Sequence, residues 1–277
     1  MTESPKDTDH MTDDIRTGKD DRHARDIHDK QIIPKEEKGK DFSYGEGILS
    51  AVFALALLFT VLITSFEAVC YWTPGLYDRE FRKYNVPFLL EYWKGDRMDY
   101  DGINTVIDET MLYLRGEREN LIVEVPVNGK LQGFYREDEI SHMTDVREVF
   151  LAAMRMRSAA ILLLILTAGY LIRKKGREAL AILGCGYLRT CLVILGTAAA
   201  FGALCASDFT KYFTVFHEIF FSQGNWEFDP HVSRMICIMP EEFFSDIALR
   251  ILITFLCSAG VLGIPAIIIK KNGKGCK

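Results

Sequence analysis

The sequence predicts an α-helical integral membrane protein with four transmembrane helices, both termini cytoplasmic, and a small extracytoplasmic α+β domain between helices 1 and 2. Three observations predict this fold. Four windows of the 277-residue chain are almost entirely apolar, short basic segments flank them on one side, and a long patterned connection separates the first two windows. An apolar helix of about 20 residues spans the bilayer hydrocarbon, whereas an open sheet would leave backbone groups unpaired in lipid.

The predicted segments follow from hydropathy and charge. The first segment is assigned as disordered because its alternating acids and bases cannot bury enough apolar area to offset the entropy of ordering. The first apolar window is longer than a signal-peptide core and lacks a small-x-small cleavage site, so it is interpreted as a retained helix. In order, the segments are a charged cytoplasmic tail (1–46), transmembrane helix 1 (47–71), the extracytoplasmic domain (72–148), transmembrane helix 2 (149–172), a cytoplasmic loop (173–178), an interfacial lead-in with transmembrane helix 3 (179–206), an extracytoplasmic interfacial segment (207–246), transmembrane helix 4 (247–269) and a cytoplasmic tail (270–277).

The orientation is predicted from the short basic flanks. Such segments are difficult to move across a membrane against its potential and the anionic inner leaflet. The clearest flank is Arg173-Lys174-Lys175-Gly176-Arg177; Lys270, Lys271, Lys274 and Lys277 form a second, and Lys30, Lys35, Lys38 and Lys40 a third. All three indicate that the termini and the 173–178 loop face the cytoplasm.

Two elements are predicted inside the 72–148 domain. Apolar residues recur at helical spacing between Gly102 and Arg115, which predicts a short amphipathic helix. Further along, two apolar runs meet across Asn128-Gly129, a dipeptide that favours a hairpin because both central positions of the turn need positive φ. Pro126 lacks a backbone donor, so its strand is expected at a sheet edge.

The third apolar window and its continuation are predicted to differ in character. Arg189 suggests that residues 179–189 are an interfacial lead-in, and the small residues from Gly196 to Ala203 are expected to pack closely against another helix. After this window, aromatic residues at helical spacing predict a helix lying in the membrane interface. His217 falls at the edge of its aromatic stripe.

The predicted topology brings two histidines to the same leaflet. His142 lies just before the second window on the outward side, and His217 lies just after the third. One imidazole can take a proton while another donates a hydrogen bond to a developing oxyanion. Both residues are equally compatible with the role of polar interfacial side chains. No serine or cysteine next to them forms a nucleophile-elbow pattern, so an acyl-transfer substrate would have to bring its own nucleophile.

The composition points away from metal and cofactor chemistry. The seven cysteines are scattered, with no CxxC pair and no clustered His and Cys at zinc-ligand spacing, so neither a metal nor a cofactor is predicted. The formal net charge of −5 arises mainly from the tail and does not indicate a nucleic-acid partner. The sequence does not predict an oligomeric state.

Four separated blocks of aromatic, acidic and histidine residues occur in a defined order. They are Glu139-Ile140-Ser141-His142-Met143-x-Asp145-Val146-Arg147, Phe213-x-x-Phe216-His217-Glu218-x-Phe220-Phe221, Trp226-x-Phe228-Asp229-Pro230 and Pro240-Glu241-x-Phe243-Phe244. In these blocks the chain resembles the bacterial lipoprotein intramolecular transacylases, small integral membrane proteins of Gram-positive bacteria. The resemblance covers about Phe42 to Lys271 and leaves out the tail of residues 1–41.

The resemblance implies an acyltransferase without a cofactor. Its expected partners are diacylated bacterial lipoproteins as substrate and membrane phospholipid, with no nucleic acid. The sn-2 acyl chain of the diacylglyceryl group would move to the α-amino group of the N-terminal cysteine and leave an N-acyl lyso-form, at the extracytoplasmic face of the cell membrane. By position, His142 is assigned as general base and His217 as the group that binds the carbonyl oxygen, with the opposite assignment left open. The expected supporting or substrate-binding residues are Asp145, Arg147, Glu218, Trp226 and Asp229.

Two other functions fit the same residues. In a hydrolase, water would replace the amine and a free fatty acid would leave. In a non-enzymatic lipid or lipoprotein sensor, the aromatic stripe would hold the protein at the interface while the histidines titrate with pH. The products of the reaction distinguish these alternatives.

Overall fold

The computed structural model describes residues 44–221 and 224–271, which form nine helices and one two-stranded sheet. The predicted tail before residue 44 and the basic residues after 271 lie outside these ranges. In chain order the elements are α1 (Tyr44–Trp72), α2 (Leu76–Lys83), α3 (Val86–Lys94), α4 (Tyr100–Leu114), β1 (Glu124–Val127), β2 (Lys130–Gly133), α5 (Glu137–Lys175), α6 (Glu178–Ser207), α7 (Phe209–Phe220), α8 (Arg234–Ile238) and α9 (Glu241–Lys271).

Four helices are long and apolar enough to cross a membrane, as the hydropathy predicts. They are α1, α5, α6 and α9, with 29, 39, 30 and 31 residues. At 1.5 Å per residue α5 is about 58 Å long, nearly twice the thickness of the bilayer hydrocarbon. Its apolar part corresponds to residues 149–172, so the first three turns extend beyond the spanning segment and carry His142.

The spanning helices pack most closely around α6. A Cβ atom at Gly186 would lie 2.4 Å from Cβ of Ser50 on α1, and one at Gly184 would lie 3.2 Å from Cβ of Ala266 on α9. The Tyr187 hydroxyl donates a hydrogen bond to the Ala259 carbonyl at 2.6 Å. The residues predicted as an interfacial lead-in therefore form the buried half of α6.

By contrast, a Cβ atom at Gly196 would have nothing within 4 Å. The close contacts at Gly184 and Gly186 thus lie about three turns before Gly196, where the run of small residues from Gly196 to Ala203 begins. The reason is that Gly184 and Gly186 face α9 and α1 directly, whereas Gly196 points into open space. Within the predicted run, a Cβ atom at Gly202 would lie 2.5 Å from the Leu252 side chain of α9, so the run packs closely at this position.

The domain between α1 and α5 contains both predicted elements. Helix α4 begins two residues earlier than predicted because the Asp99 side chain caps it and accepts from the Gly102 amide at 2.8 Å. Strands β1 and β2 pair antiparallel across Asn128 and Gly129, whose φ angles are +53° and +76°. Helices α2 and α3 were not predicted.

The core of this domain joins it to the segments that carry the site. Apolar side chains of α2, α4 and β1 pack with Phe134, with Met143 at the start of α5, and with Met235 and Ile238 of α8. Residues far apart in sequence are thereby held against one end of the helix bundle.

Candidate active site

His142 lies on the second turn of α5, and a buried carboxylate holds the beginning of that helix. Glu139 is fully buried, and its side chain accepts a hydrogen bond from the Arg136 amide at 2.8 Å, which satisfies one of the unpaired donors at the helix start. Its other oxygen accepts from the Ser233 hydroxyl, which in turn caps α8. Glu139 precedes His142 by three residues, so it fixes the turn that presents the imidazole.

His217 is held by its own helix. It is the one buried residue of α7. The sequence pattern places it at the edge of the aromatic stripe, between the apolar and polar faces of the helix. Its Nδ1 lies 2.7 Å from the Phe213 carbonyl oxygen. A carbonyl only accepts, so Nδ1 carries the proton of the neutral ring and Nε2 keeps its lone pair. The tautomer is therefore determined by the backbone of α7.

The two imidazoles face each other across a short gap. Their ring centroids are 6.1 Å apart, and the planes differ by 25°. His142 is 7% exposed and His217 is 9% exposed, so both rings are almost fully removed from solvent. Of the described residues, none hydrogen-bonds to Nδ1 of His142. The structure thus brings together the two residues that the topology placed in one leaflet.

Aromatic side chains enclose this pair. The Phe221 and Phe228 rings lie edge-on to His142, with centroids at 4.9 and 5.6 Å. The Phe213 and Trp226 rings contact His217 at 4.2 and 5.0 Å. We call these four residues the aromatic cage. It excludes water from the imidazoles and presents an apolar surface suited to an acyl chain.

The cage keeps both histidines neutral near pH 7. Burial, reinforced by His217, lowers the pKa of His142 to about 4, while Asp145 partly opposes this shift. Burial also lowers the pKa of His217, and the hydrogen bond to the Phe213 carbonyl acts in the opposite direction because it stabilises the imidazolium. A neutral imidazole is the form that can accept a proton or donate a single N–H.

Asp145 and Trp226, two of the predicted supporting residues, lie next to the histidines. Asp145 follows His142 by about one turn, and its Oδ2 accepts from Asn225 Nδ2 at 3.0 Å. This bond joins α5 to the loop that carries Trp226. Arg147, a third predicted residue, lies over the Tyr113 ring at 4.8 Å and donates a long hydrogen bond to the Arg118 carbonyl at 3.4 Å. Arg147 therefore joins α5 to the domain and does not contact the imidazoles.

The other two predicted supporting residues lie elsewhere. Glu218 is exposed on α7. Asp229 is also exposed, and its Oδ1 accepts from the His231 amide at 2.9 Å, which makes it a turn residue of the loop before α8. Among the described residues, no group of three His, Cys, Asp or Glu side chains is placed to hold a metal ion.

Sequence reasoning did not single out Glu139, Ser233, Asn225 or Phe221 as parts of the site. An acidic residue three positions before His142 at a helix start was a usable signal for Glu139, because acids at the third helical position often cap the helix. The roles of Ser233 and Asn225 depend on contacts across 94 and 80 residues, for which no local pattern exists.

Comparison with known proteins adds three findings. The family model described as lipoprotein intramolecular transacylase Lit matches residues 51–244. The structure is similar to the membrane integral lipoprotein intramolecular transacylase Lit from Bacillus cereus, with a TM-score of 0.65, 24% sequence identity and coverage of 82% of this chain and 97% of that one. A comparison with curated proteins finds no match.

Two further structures of the Bacillus cereus protein match, each carrying one substituted histidine. The alanine variant gives a TM-score of 0.63 and the arginine variant 0.62, both at 23% identity and with coverage of 82% of this chain and 95% and 93% of theirs. At this identity the structures establish the fold, and the family model covers most of the sequence. The protein is a multi-pass membrane acyltransferase that belongs to the lipoprotein intramolecular transacylase family.

Proposed function

We propose that this protein moves the sn-2 acyl chain of a diacylglyceryl-modified lipoprotein to the α-amino group of its N-terminal cysteine. The observation that carries the proposal is the buried pair of His142 and His217, 6.1 Å apart inside an aromatic cage. No described serine or cysteine hydrogen-bonds to either imidazole, so this site offers a base and a hydrogen-bond donor but no acyl-accepting side chain. An amine supplied by the substrate completes the reaction.

The geometry favours His217 as the general base, the reverse of the assignment by sequence position. Its Nδ1 is occupied by the Phe213 carbonyl, which leaves Nε2 as the acceptor and stabilises the imidazolium that forms. The pKa of His142, lowered to about 4, makes that ring a poor base. A ring that stays neutral is suited to donating its N–H to the developing oxyanion.

The proposed chemistry proceeds in two steps. The α-amino nitrogen attacks the sn-2 ester carbonyl, His217 Nε2 takes the proton that the nitrogen loses, and His142 donates a hydrogen bond to the oxyanion. When the tetrahedral intermediate collapses, the ester C–O bond breaks and the imidazolium of His217 returns the proton to the glycerol oxygen. The products are an amide at the cysteine and a free sn-2 hydroxyl, so atoms and protons balance within one substrate molecule.

We place this site at the extracytoplasmic face, with both termini in the cytoplasm. The basic flanks support this orientation, and Lys175 on the predicted cytoplasmic side pairs with Glu46 at the start of α1. A reporter that is active only in the cytoplasm, fused after Lys277, should be active. A silent fusion together with an active periplasmic-type reporter at the same position would reverse the orientation.

The function is tested by expressing the chain in a bacterium that makes diacylated lipoproteins. Mass spectrometry of their N-terminal peptides should show conversion to the N-acyl lyso-form, and His142→Ala and His217→Ala should each abolish it. Absence of conversion by the wild type, or normal conversion by both variants, would contradict the proposal. Release of free fatty acid without N-acylation would identify a hydrolase.

A further inference from the structure

Asn225 has a side chain whose orientation is fixed by its partner. Nδ2 lies 3.0 Å from Asp145 Oδ2. A carboxylate at neutral pH only accepts, so the group facing it must be the amide nitrogen, and the amide oxygen must point the other way. The hydrogen bond to Asp145 therefore determines which side of the Asn225 amide carries the nitrogen and which carries the oxygen.

The amide oxygen of Asn225, which points away from Asp145, receives no hydrogen bond from the described part of the chain. Oδ1 of Asn225 is buried from solvent, and no described residue donates a hydrogen bond to it. Buried acceptors are nearly always paired, because an unpaired one loses its bonds to water without replacement. The oxygen is thus an acceptor held in a desolvated position.

Asn225 is joined to the histidine pair through its two neighbours, Trp226 and Asp145. The next residue, Trp226, places its ring 5.0 Å from His217, and Asp145 is one turn from His142. Asp145 is also the acid of the site that contacts Asn225. Glu139, by contrast, is engaged by the Ser233 hydroxyl and the Arg136 amide, and Glu218 is exposed on α7. The Asp145 carboxylate and the Asn225 oxygen thus provide a negative charge and an unpaired acceptor close to the histidine pair.

We propose that Asn225 and Asp145 form a subsite for the substrate's α-amino group, an inference that rests on the proposed function. Both side chains accept hydrogen bonds from N–H groups, so the subsite fits the amine in its protonated form on arrival and in its neutral form before attack. It holds the nitrogen near His217 and selects for a free N-terminus. An N-acetylated cysteine has a planar amide with one N–H and no charge, which matches this subsite poorly.

The test measures how strongly the enzyme prefers a free amine. Two unreactive analogues of the diacylglyceryl-cysteine peptide, with ether-linked chains in place of the esters, are compared as inhibitors of the full-length protein in detergent. One analogue has a free α-amino group, and the other is N-acetylated. The wild type should bind the free amine at least about tenfold more tightly, since the charged hydrogen bonds are lost on acetylation.

Two variants separate amine binding from loop positioning. Asn225→Ala removes the acceptor, and Asp145→Asn removes the charge but keeps the link to the loop, because the new amide oxygen still accepts from Asn225 Nδ2. Each should reduce the preference to about threefold or less and increase the share of ester substrate released as free fatty acid. Glu227→Gln removes an equal charge from an exposed position of the same loop and should keep the wild-type preference.

The outcomes distinguish the two proposals. If Asp145→Asn keeps the wild-type melting temperature and the full preference, the subsite is rejected while the proposed function stands. An equal loss of affinity for both analogues in Asn225→Ala and Asp145→Asn would show a positioning role only and would also reject it. If the wild type makes no N-acyl product from the ester substrate, the proposed function fails, and the subsite with it.

Discussion

The helix bundle and the histidine site satisfy their polar groups in different ways. In the bundle, Tyr187 and the Ala259 carbonyl pair across the α6–α9 contact, and Arg157 on α5 forms a two-pronged ion pair with Glu67 on α1. At the site, by contrast, the buried atoms His142 Nδ1 and Asn225 Oδ1 have no partner among the described residues. Native structures rarely leave such atoms unpaired.

The difference indicates which region supplies stability and which supplies chemistry. Close contacts and paired charges in the bundle lower the free energy of the folded state, whereas unpaired atoms at the site raise it and remain available for a substrate. Variants of the bundle should therefore change stability with little effect on turnover per folded molecule. Variants of the site should do the reverse.

The largest effect is expected at His217. His217→Gln removes the proposed base, and general base catalysis contributes about 10²- to 10⁴-fold in rate, so N-acyl transfer should fall by that factor. Conversion of a synthetic diacylated lipopeptide by purified protein measures it. His231→Gln is the matched control, because His231 lies against the exposed Trp93 ring outside the cage. Equal losses in both variants would contradict the assignment.

The second effect is expected at the ion pair inside the bundle. Glu67→Leu leaves the Arg157 guanidinium without its carboxylate in an apolar environment, which costs about 3–5 kcal/mol in buried pairs. The melting temperature in detergent should drop, and the double variant Glu67→Leu/Arg157→Met should recover most of the loss. If the single variant keeps its melting temperature but loses turnover, Glu67 belongs to the catalytic region and the comparison fails.

A third effect is expected from pH. The folded protein lowers the pKa of His142 to about 4, and the unfolded chain has an ordinary value near 6.5. Between these values the unfolded state binds more protons, so stability is present above about pH 6.5 and falls as pH decreases toward 4, by up to about 3 kcal/mol in total. Thermal unfolding in this range measures the slope. His142→Gln should flatten it, and an unchanged slope would show that the folded environment of His142 does not lower its pKa.

Local features of the chain were sufficient to predict the four long helices and the hairpin. Apolar length determines α1, α5, α6 and α9, and the φ requirement of Asn128-Gly129 determines the turn between β1 and β2. Helices α2 and α3 were missed because they are short and lie in a mixed polar and aromatic stretch.

The site was predictable only in part. Topology brought the two histidines to one leaflet, but their spacing depends on the bond between Asn225 and Asp145 and on the contact between Ser233 and Glu139. Those contacts join segments that are far apart in the sequence, and no periodic pattern of residues predicts that they meet. The burial of His217 was also missed, since a helical wheel places the residue beside the stripe without showing what covers it.

The smallest effect is expected at the closest contact of the bundle. Gly186→Ala puts a methyl group 2.4 Å from Ser50, so α1 and α6 must separate slightly, at a cost of about 1–3 kcal/mol. Gly196→Ala, in open space on the same helix, should leave the melting temperature unchanged or raise it slightly. In the double variant Ser50→Gly/Gly186→Ala the added methyl group replaces the side chain lost from α1, so most of the stability should return.

Turnover per folded molecule should stay at the wild-type value in all three variants. A loss of turnover in Gly186→Ala that Ser50→Gly reverses would show instead that the α1–α6 contact is coupled to the histidine pair, and the two regions would no longer be independent.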